Sequence, residues 1–233
     1  MPKDQANERT ELRAVTRGSG RPLVDAVVLD LDGTLVDSLD TVLECYRLAV
    51  LELGGADLDP DEILASFTIG PAAVMLASLI GAPVGPQAVR AYEAHLRARV
   101  DAIHPYPGVA AMLSRLASAL PLGVFTAADT AAAELILGAA GLRSHLAAVV
   151  GADRVARTKP APDGLISTAR LLGSDAGRIA YVGDGPADVA AARACGALSI
   201  AAAWGGRFPP DPSADVVAAT PDELVALLLD ELA

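Results

Sequence analysis

The apolar positions change their spacing twice along the chain. Val24-Asp25-Ala26-Val27-Val28-Leu29 is a short, nearly continuous apolar run bounded by Asp30 and Gly33. That is the pattern of a strand buried in a parallel sheet. From Ser38 to Leu53 the residues Leu39, Val42, Leu43, Tyr46, Ala49, Val50 and Leu53 recur at helical spacing, and Gly54-Gly55 ends the segment. The same spacing predicts helices over 60–67, 72–80 and 86–103, with breakers at Gly70-Pro71 and Gly81-Ala82-Pro83. No strand-like run falls between Val36 and His104, so 36–104 reads as an all-helical insertion.

Beyond it, strands and helices alternate. Strands are predicted at 120–125, 147–150, 178–182 and 197–202, with helices at 110–119, 130–140, 162–172 and 187–195. A last short strand at 215–217 precedes a helix at 221–232. Alternation of this kind predicts an α/β fold, a doubly wound parallel sheet, built from 23–35 and 105–233 around the insertion. Residues 1–22 read as a flexible tail ending in the breaker cluster Arg17-Gly18-Ser19-Gly20-Arg21-Pro22. Right-handed crossovers place all strand C-terminal ends on one edge, where such sheets bind ligands.

Composition narrows the partners. The 233 residues suffice for one sizeable core plus a smaller insertion. Hydrophobic residues make up 52% but aromatics only 3%, so the core is packed from Ala, Val, Leu and Ile, and no aromatic platform for stacked bases is expected. A net charge of −11 disfavours binding to a nucleic-acid backbone. It also means that a phosphorylated substrate must be met by local cations, helix N-termini or a metal. Cys45 and Cys195 form no C-x-x-C pair and read as buried free thiols, which suits a reducing, cytoplasmic setting. Met1 to Arg21 has no signal-like apolar stretch, and the apolar runs are too short to span a membrane. Oligomeric state stays open between monomer and homodimer.

Chemistry gathers at the predicted strand ends. Asp30-Leu31-Asp32-Gly33-Thr34 follows the first strand, Thr126-Ala127 the second and Gly183-Asp184-Gly185-Pro186-Ala187-Asp188 the fourth, while Lys159-Pro160 lies between the third and fourth. Phosphoryl transfer needs such a set. A carboxylate nucleophile splits hydrolysis into two easier displacements, and a second carboxyl protonates the leaving alkoxide and later deprotonates water. A hard divalent cation offsets the repulsion between nucleophile and phosphate, and an all-oxygen site favours Mg²⁺. Lys159 offers a point charge and Thr126 a hydroxyl donor to the phosphoryl oxygens.

Each residue has an ordinary reading too. Asp-x-Asp-Gly is commonly a solvated turn, Lys159 a surface cation, Thr126 a helix N-cap and Asp188 a charge complementing a helix dipole. Their order along the chain is what favours a site. In the insertion, Arg90, Arg97 and Arg99 could meet a second anionic group, but a solvated helix face is the simpler reading. His95 and His104 lack metal-ligand spacing. Asp37 and Ser38 read as hinge and helix start.

The stretch from Asp30 to Ser38 resembles the first motif of the haloacid dehalogenase superfamily, in its phosphoglycolate phosphatase-like branch. Thr126, Lys159 and Gly183-Asp184 with Asp188 are similar to its second, third and fourth motifs, in order. The resemblance covers nearly the whole chain after the tail and makes the insertion that family's helical type-one cap. Thr68-Ile69-Gly70-Pro71, Pro105-Tyr106-Pro107-Gly108 and Trp204-Gly205 resemble a cap loop, the cap-to-core return and a loop after the fifth strand. The resemblance implies Asp30 as nucleophile and metal ligand, and Asp32 as acid/base with its backbone carbonyl on the metal. It implies Asp184 as a direct Mg²⁺ ligand and Asp188 as support through water. Thr126, Lys159 and the Ala127 backbone would hold phosphate. Relatives usually carry Asn where this chain has Ala127, which keeps the backbone N–H and removes a side-chain contact to substrate or cap.

The implied reaction is hydrolysis of a small phosphorylated metabolite, with 2-phosphoglycolate as the candidate. A phosphomutase of the same family has the same motifs. Dehalogenation needs neither Asp32 nor the Asp184/Asp188 pair, and a silent binding module would not require Asp30, Asp32 and Lys159 together.

Overall fold

The computed structural model describes residues 24–206 and 209–229. The expected tail and the last residues of the expected final helix lie outside the described residues.

Strand β1 (Ala26–Leu29) is wholly buried and central. The chain then passes through β2 (Val36–Asp37) into four helices, α1 (Leu39–Glu52), α2 (Pro60–Ala65), α3 (Ala72–Ile80) and α4 (Pro86–Arg97), and returns through β3 (His104–Pro105). The rest alternates: α5 (Val109–Ala117), β4 (Leu122–Phe125), α6 (Thr130–Ala139), β5 (Ala148–Val150), α7 (Asp163–Leu171), β6 (Ile179–Gly183), α8 (Pro186–Cys195), β7 (Leu198–Ala202), β8 (Val216–Ala218) and α9 (Pro221–Leu229). Six strands form one sheet in the order β5-β4-β1-β6-β7-β8, each pair parallel.

The sheet is covered on both faces, as the continuous apolar runs demand. Val27 and Leu29 of β1 point into one cluster with Met112, Leu113 and Leu116 of α5 and Leu224 and Val225 of α9. Ala26 and Val28 point the other way, into a cluster with Leu165 and Ala169 of α7 and Ala191 and Ala192 of α8. A one-residue slip of β1 would exchange the two sets, so register is fixed by packing.

Three expectations need correction. The insertion is not free of extended structure: β2 and β3 pair antiparallel, Val36 with Pro105 and Asp37 with His104. Two residues per strand are too few to show a period. The expected helix over 86–103 stops at Arg97, and a 3₁₀ turn covers Val100–Ala102. Arg99 has left helical dihedrals (φ −128°, ψ −1°), and its guanidinium donates to the His95 carbonyl at 3.3 Å, satisfying an orphaned acceptor of the last turn. Similarly, α2 ends at Ala65 and continues as a 3₁₀ turn over Ser66–Thr68.

In the insertion α1 packs on α2, α3 and α4. Tyr46 of α1 and Tyr92 of α4 stack with ring centroids 4.2 Å apart. Among the described residues, no helix is long and apolar enough to cross a membrane.

Helix α7 is pressed onto β4 at Gly164, where a Cβ would come within 1.9 Å of the Phe125 ring. Phe125 is fully buried in well-packed surroundings and has little room to give. Gly164→Ala is therefore expected to destabilise the fold by about 1–3 kcal/mol. Thermal or urea unfolding reads this directly, and an unchanged midpoint would show that the two elements are not in tight contact.

Candidate active site

The carboxyl edge of the sheet collects the expected residues. Asp30 follows β1 directly, Thr126 follows β4, and Asp184 and Asp188 lie after β6 and in the first turn of α8. The β1 turn is closed by backbone bonds from Leu35 and Val36 N–H to the Leu31 carbonyl. Gly33 adopts φ +81°, and a Cβ there would meet Asp184 Oδ2 at 2.4 Å. Only glycine both turns the chain here and lets the first and last motif loops touch.

Lys159 lies at the centre. Its Nζ is 2.8 Å from Asp30 Oδ1 and 2.7 Å from Asp188 Oδ1, and all three side chains are at most 8% exposed. The Tyr181 hydroxyl is 3.0 Å from both Asp188 Oδ1 and the Phe125 carbonyl, so one proton serves two acceptors. Gly185 N–H donates to Asp188 Oδ2 at 3.0 Å. Both Asp188 oxygens are thus engaged by protein groups. This arrangement suits a supporting role better than direct ligation.

Burial works against the charge on Lys159, but Asp188 and Asp30 outweigh it and hold the ammonium pKa above its usual value. The Asp30 carboxyl is pushed well up, chiefly by burial and then by Asp188 and Asp184, against the pull of Lys159. Burial also raises Asp32, against hydrogen bonds from Ser38 and Thr126 and the charge of Lys159. Asp184 is pushed up to about 6 by burial and by Asp188.

Asp30, Asp184 and Asp188 each offer a carboxylate oxygen, all within 4.8 Å of one another. Asp30 Oδ1, though in contact with Lys159, is out of hydrogen-bond alignment and is buried without such a bond. Three crowded carboxylates, with one oxygen still unbonded, fit a hard divalent cation. The residues that would hold it are Asp30 and Asp184, with Asp188 behind them.

Asp32 is held separately. Ser38 Oγ donates a short hydrogen bond to its Oδ1, and Thr126 Oγ1 lies 3.5 Å from its Oδ2. Thr126 Oγ1 also accepts the Ala128 N–H at 3.1 Å. Asp32 and Ala127 line a cavity closed on the other side by Tyr46 and Tyr92 of the insertion. The Asp129 carboxylate, just beyond, accepts the Ala72 N–H of α3 at 3.0 Å and so ties insertion to core.

Sequence reading missed several supports. Ser38 was read as hinge and helix start, and it is also the hydrogen-bond partner of Asp32. Tyr181 sits inside an apolar strand run, where nothing marks its hydroxyl as a partner of Asp188. Thr34 Oγ1 lies 3.4 Å from Asp184 Oδ1, and Trp204 Nε1 donates to the Thr34 carbonyl at 2.8 Å. Both of those residues stood in stretches singled out from sequence. Arg90 and Arg97 border a separate groove on α4 that no motif residue lines.

Comparisons with known proteins show the family and the fold. The family model for haloacid dehalogenase-like hydrolases matches residues 24–196. A phosphoglycolate phosphatase of Xanthomonas campestris pv. campestris is 34% identical over 212 residues, covering 85% of this chain and 94% of that protein. A probable phosphatase of Dickeya dadantii, IndB, is 37% identical over 189 residues, covering 77% and 81%. The fold superposes on the crystal structure of CbbY from Rhodobacter sphaeroides in complex with phosphate, with TM-score 0.76 and 22% identity over 86% of this chain and 96% of that one.

The raised Asp184 carboxyl has a consequence for stability. Between its ordinary value of 3.8 and about 6, the folded state binds more protons than the unfolded state. Stability of the metal-free protein therefore falls as pH rises through that window. Asp184→Asn is expected to raise the metal-free melting temperature at pH 7 by on the order of 2–4 °C, and to flatten its change between pH 5 and pH 7. The same variant should lose stabilisation by added divalent cation. Thermal melts with chelator and with Mg²⁺ check both; a variant that keeps the full response to cation would remove Asp184 from the metal site.

Proposed function

The chain belongs to the haloacid dehalogenase-like hydrolases and is a phosphatase of that family, and we propose that it hydrolyses a small phosphomonoester with Mg²⁺ through an aspartyl-phosphate on Asp30. The observation that carries this reading is the buried contact of Lys159 with Asp30 beside the Asp30/Asp184/Asp188 cluster.

The roles follow from position. An Asp30 carboxylate oxygen attacks phosphorus, and the bond from phosphorus to the alcohol oxygen breaks. Asp32, raised by burial, delivers a proton to the departing alkoxide. It then takes a proton from the water that attacks the aspartyl-phosphate, releasing phosphate and restoring Asp30. Lys159, the Thr126 hydroxyl and the Ala127 N–H are the donors assigned to the phosphoryl oxygens. When bound, Mg²⁺ supplies charge neutralisation between the carboxylate and the phosphoryl group. Ser38 orients Asp32, and Tyr181 with Gly185 orients Asp188.

The helical insertion, entered through β2 and left through β3, acts as the cap, and the described residues on either side form the core. Its closure over Asp32 sets the site apart from bulk water. The two cysteines are free, which supports a cytoplasmic setting. The name of the Xanthomonas relative makes 2-phosphoglycolate one ester to assay.

Phosphate release from a panel of esters tests the reading. Activity is expected to need Mg²⁺, to stop with chelator, and to fall at least about a thousandfold in Asp30→Asn. Asp32→Asn is expected to slow alkyl esters by roughly 10²–10⁴-fold and an activated aryl ester much less, since a good leaving group needs little protonation. Equal losses for both ester types would remove Asp32 from the role of general acid.

A further inference from the structure

We propose that the substrate is the phosphate ester of an uncharged alcohol with an apolar body, and that the site selects against a leaving group bearing a carboxylate. The inference deepens the phosphatase reading above and rests on it.

The leaving group must lie where Asp32 can reach its oxygen, and the cavity beside Asp32 is the space that meets this condition. The free space there between insertion and core is about 40 Å³, so the body of an alcohol is received against this lining only as the insertion moves off the core. The insertion side is walled by Val42, Tyr46, Phe67, Met75 and Tyr92. The core side adds the methyl groups of Ala127 and Ala128 and the side chain of Ile136. Among the described residues, Asp32 is the only acidic or basic side chain in the lining.

Charge decides against a carboxylate. Among the described residues, neither Lys, Arg nor His lines the cavity. Arg90 and Arg97 border a different groove, and Arg99 turns back onto the His95 carbonyl. Burial raises the Tyr46 and Tyr92 pKa values, with Asp129 and Asp32 next on Tyr46, and Tyr46 next on Tyr92 ahead of Asp32, so both stay neutral donors. A carboxylate placed here would be desolvated with no cationic partner among the described residues, and Asp32, protonated as the general acid, would offer it no countercharge. Lys159 is paired with Asp30 and Asp188 and is the cation assigned to the phosphoryl group, so it does not serve the leaving group.

Ala127 points the same way. An amide at this position would bring a donor and an acceptor to the lining, and the methyl group present brings neither.

The experiment compares kcat/KM with Mg²⁺ for ethyl, butyl and benzyl phosphate, 2-phosphoglycolate and a sugar phosphate. All have alkoxide leaving groups, so intrinsic reactivity is similar. Each added methylene is expected to raise kcat/KM by up to about fourfold, and butyl and benzyl phosphate to exceed 2-phosphoglycolate by at least about tenfold. Phe67→Arg puts a cation in the wall at a half-buried position and is expected to shift the ratio toward 2-phosphoglycolate by about tenfold or more. If 2-phosphoglycolate matches or exceeds the neutral esters in the parent enzyme, or if ethyl and benzyl phosphate react equally, the inference is overturned while the phosphatase reading stands. No hydrolysis of any ester would overturn both.

Discussion

Everything at the carboxyl edge of this sheet depends on one buried cation among acids. Lys159 touches Asp30 at 2.8 Å and Asp188 at 2.7 Å in a setting almost closed to water. Three further facts follow from the need to stabilise it there. Asp188 is fixed by Tyr181 and Gly185, so that its charge stays aimed at the ammonium. Asp30 is left with an oxygen without a hydrogen bond. Asp184 keeps a raised pKa, because burial and Asp188 outweigh the pull of Lys159, and a metal would relieve it. Removing one partner of such a set leaves a buried charge uncompensated, which costs several kcal/mol in general. The cluster is thus tightly coupled, and its members are poor candidates for independent change.

The rest of the fold serves to bring these groups together from distant parts of the chain. Parallel strands deliver the loops at their C-terminal ends to one edge, with β1 flanked by β4 and β6. The loops then lock by close backbone approach. Gly33 leaves room for Asp184, and Gly205 is so near the Gly33 carbonyl that a Cβ would sit 2.5 Å from it. The Trp204 indole N–H secures the Thr34 carbonyl from the same side. In the proposed reading, an acidic protein of net charge −11 meets a phosphoryl group in this way: by concentrating donors and a buried cation at a point, not through its overall field.

Much of this was legible in the residues. Among the described residues, the six sheet strands and nine α-helices all correspond to expected segments, because buried parallel strands read as apolar runs and amphipathic helices carry a clear period. The helix Ala72–Ile80 matched at both ends. Boundaries failed where they rest on a single side chain, as at Arg99, or on pairings too short for a period, as in Val36–Asp37 with His104–Pro105. The acids, Lys159 and Thr126 were legible because chemistry restricts their types and topology restricts their positions. Their partners were not. Tyr46, Tyr92 and Met75 read as helix core from sequence, and only the folded arrangement shows that they also face Asp32 across a cavity. Specificity lives in such residues, whose local pattern is the same whether they fill a core or wall a site.

The most direct test is to identify the phosphorylated residue. The enzyme would be quenched with borohydride during steady-state turnover with Mg²⁺ and an alkyl phosphate, which reduces an acyl-phosphate to an alcohol, and its peptides mapped by mass spectrometry. A nucleophilic Asp30 predicts reduction of Asp30 to homoserine, absent without substrate and absent in Asp30→Asn. Reduction at another carboxylate, or none at any residue while phosphate is being released, would contradict a covalent route through Asp30 and leave the Lys159-centred cluster without its central role.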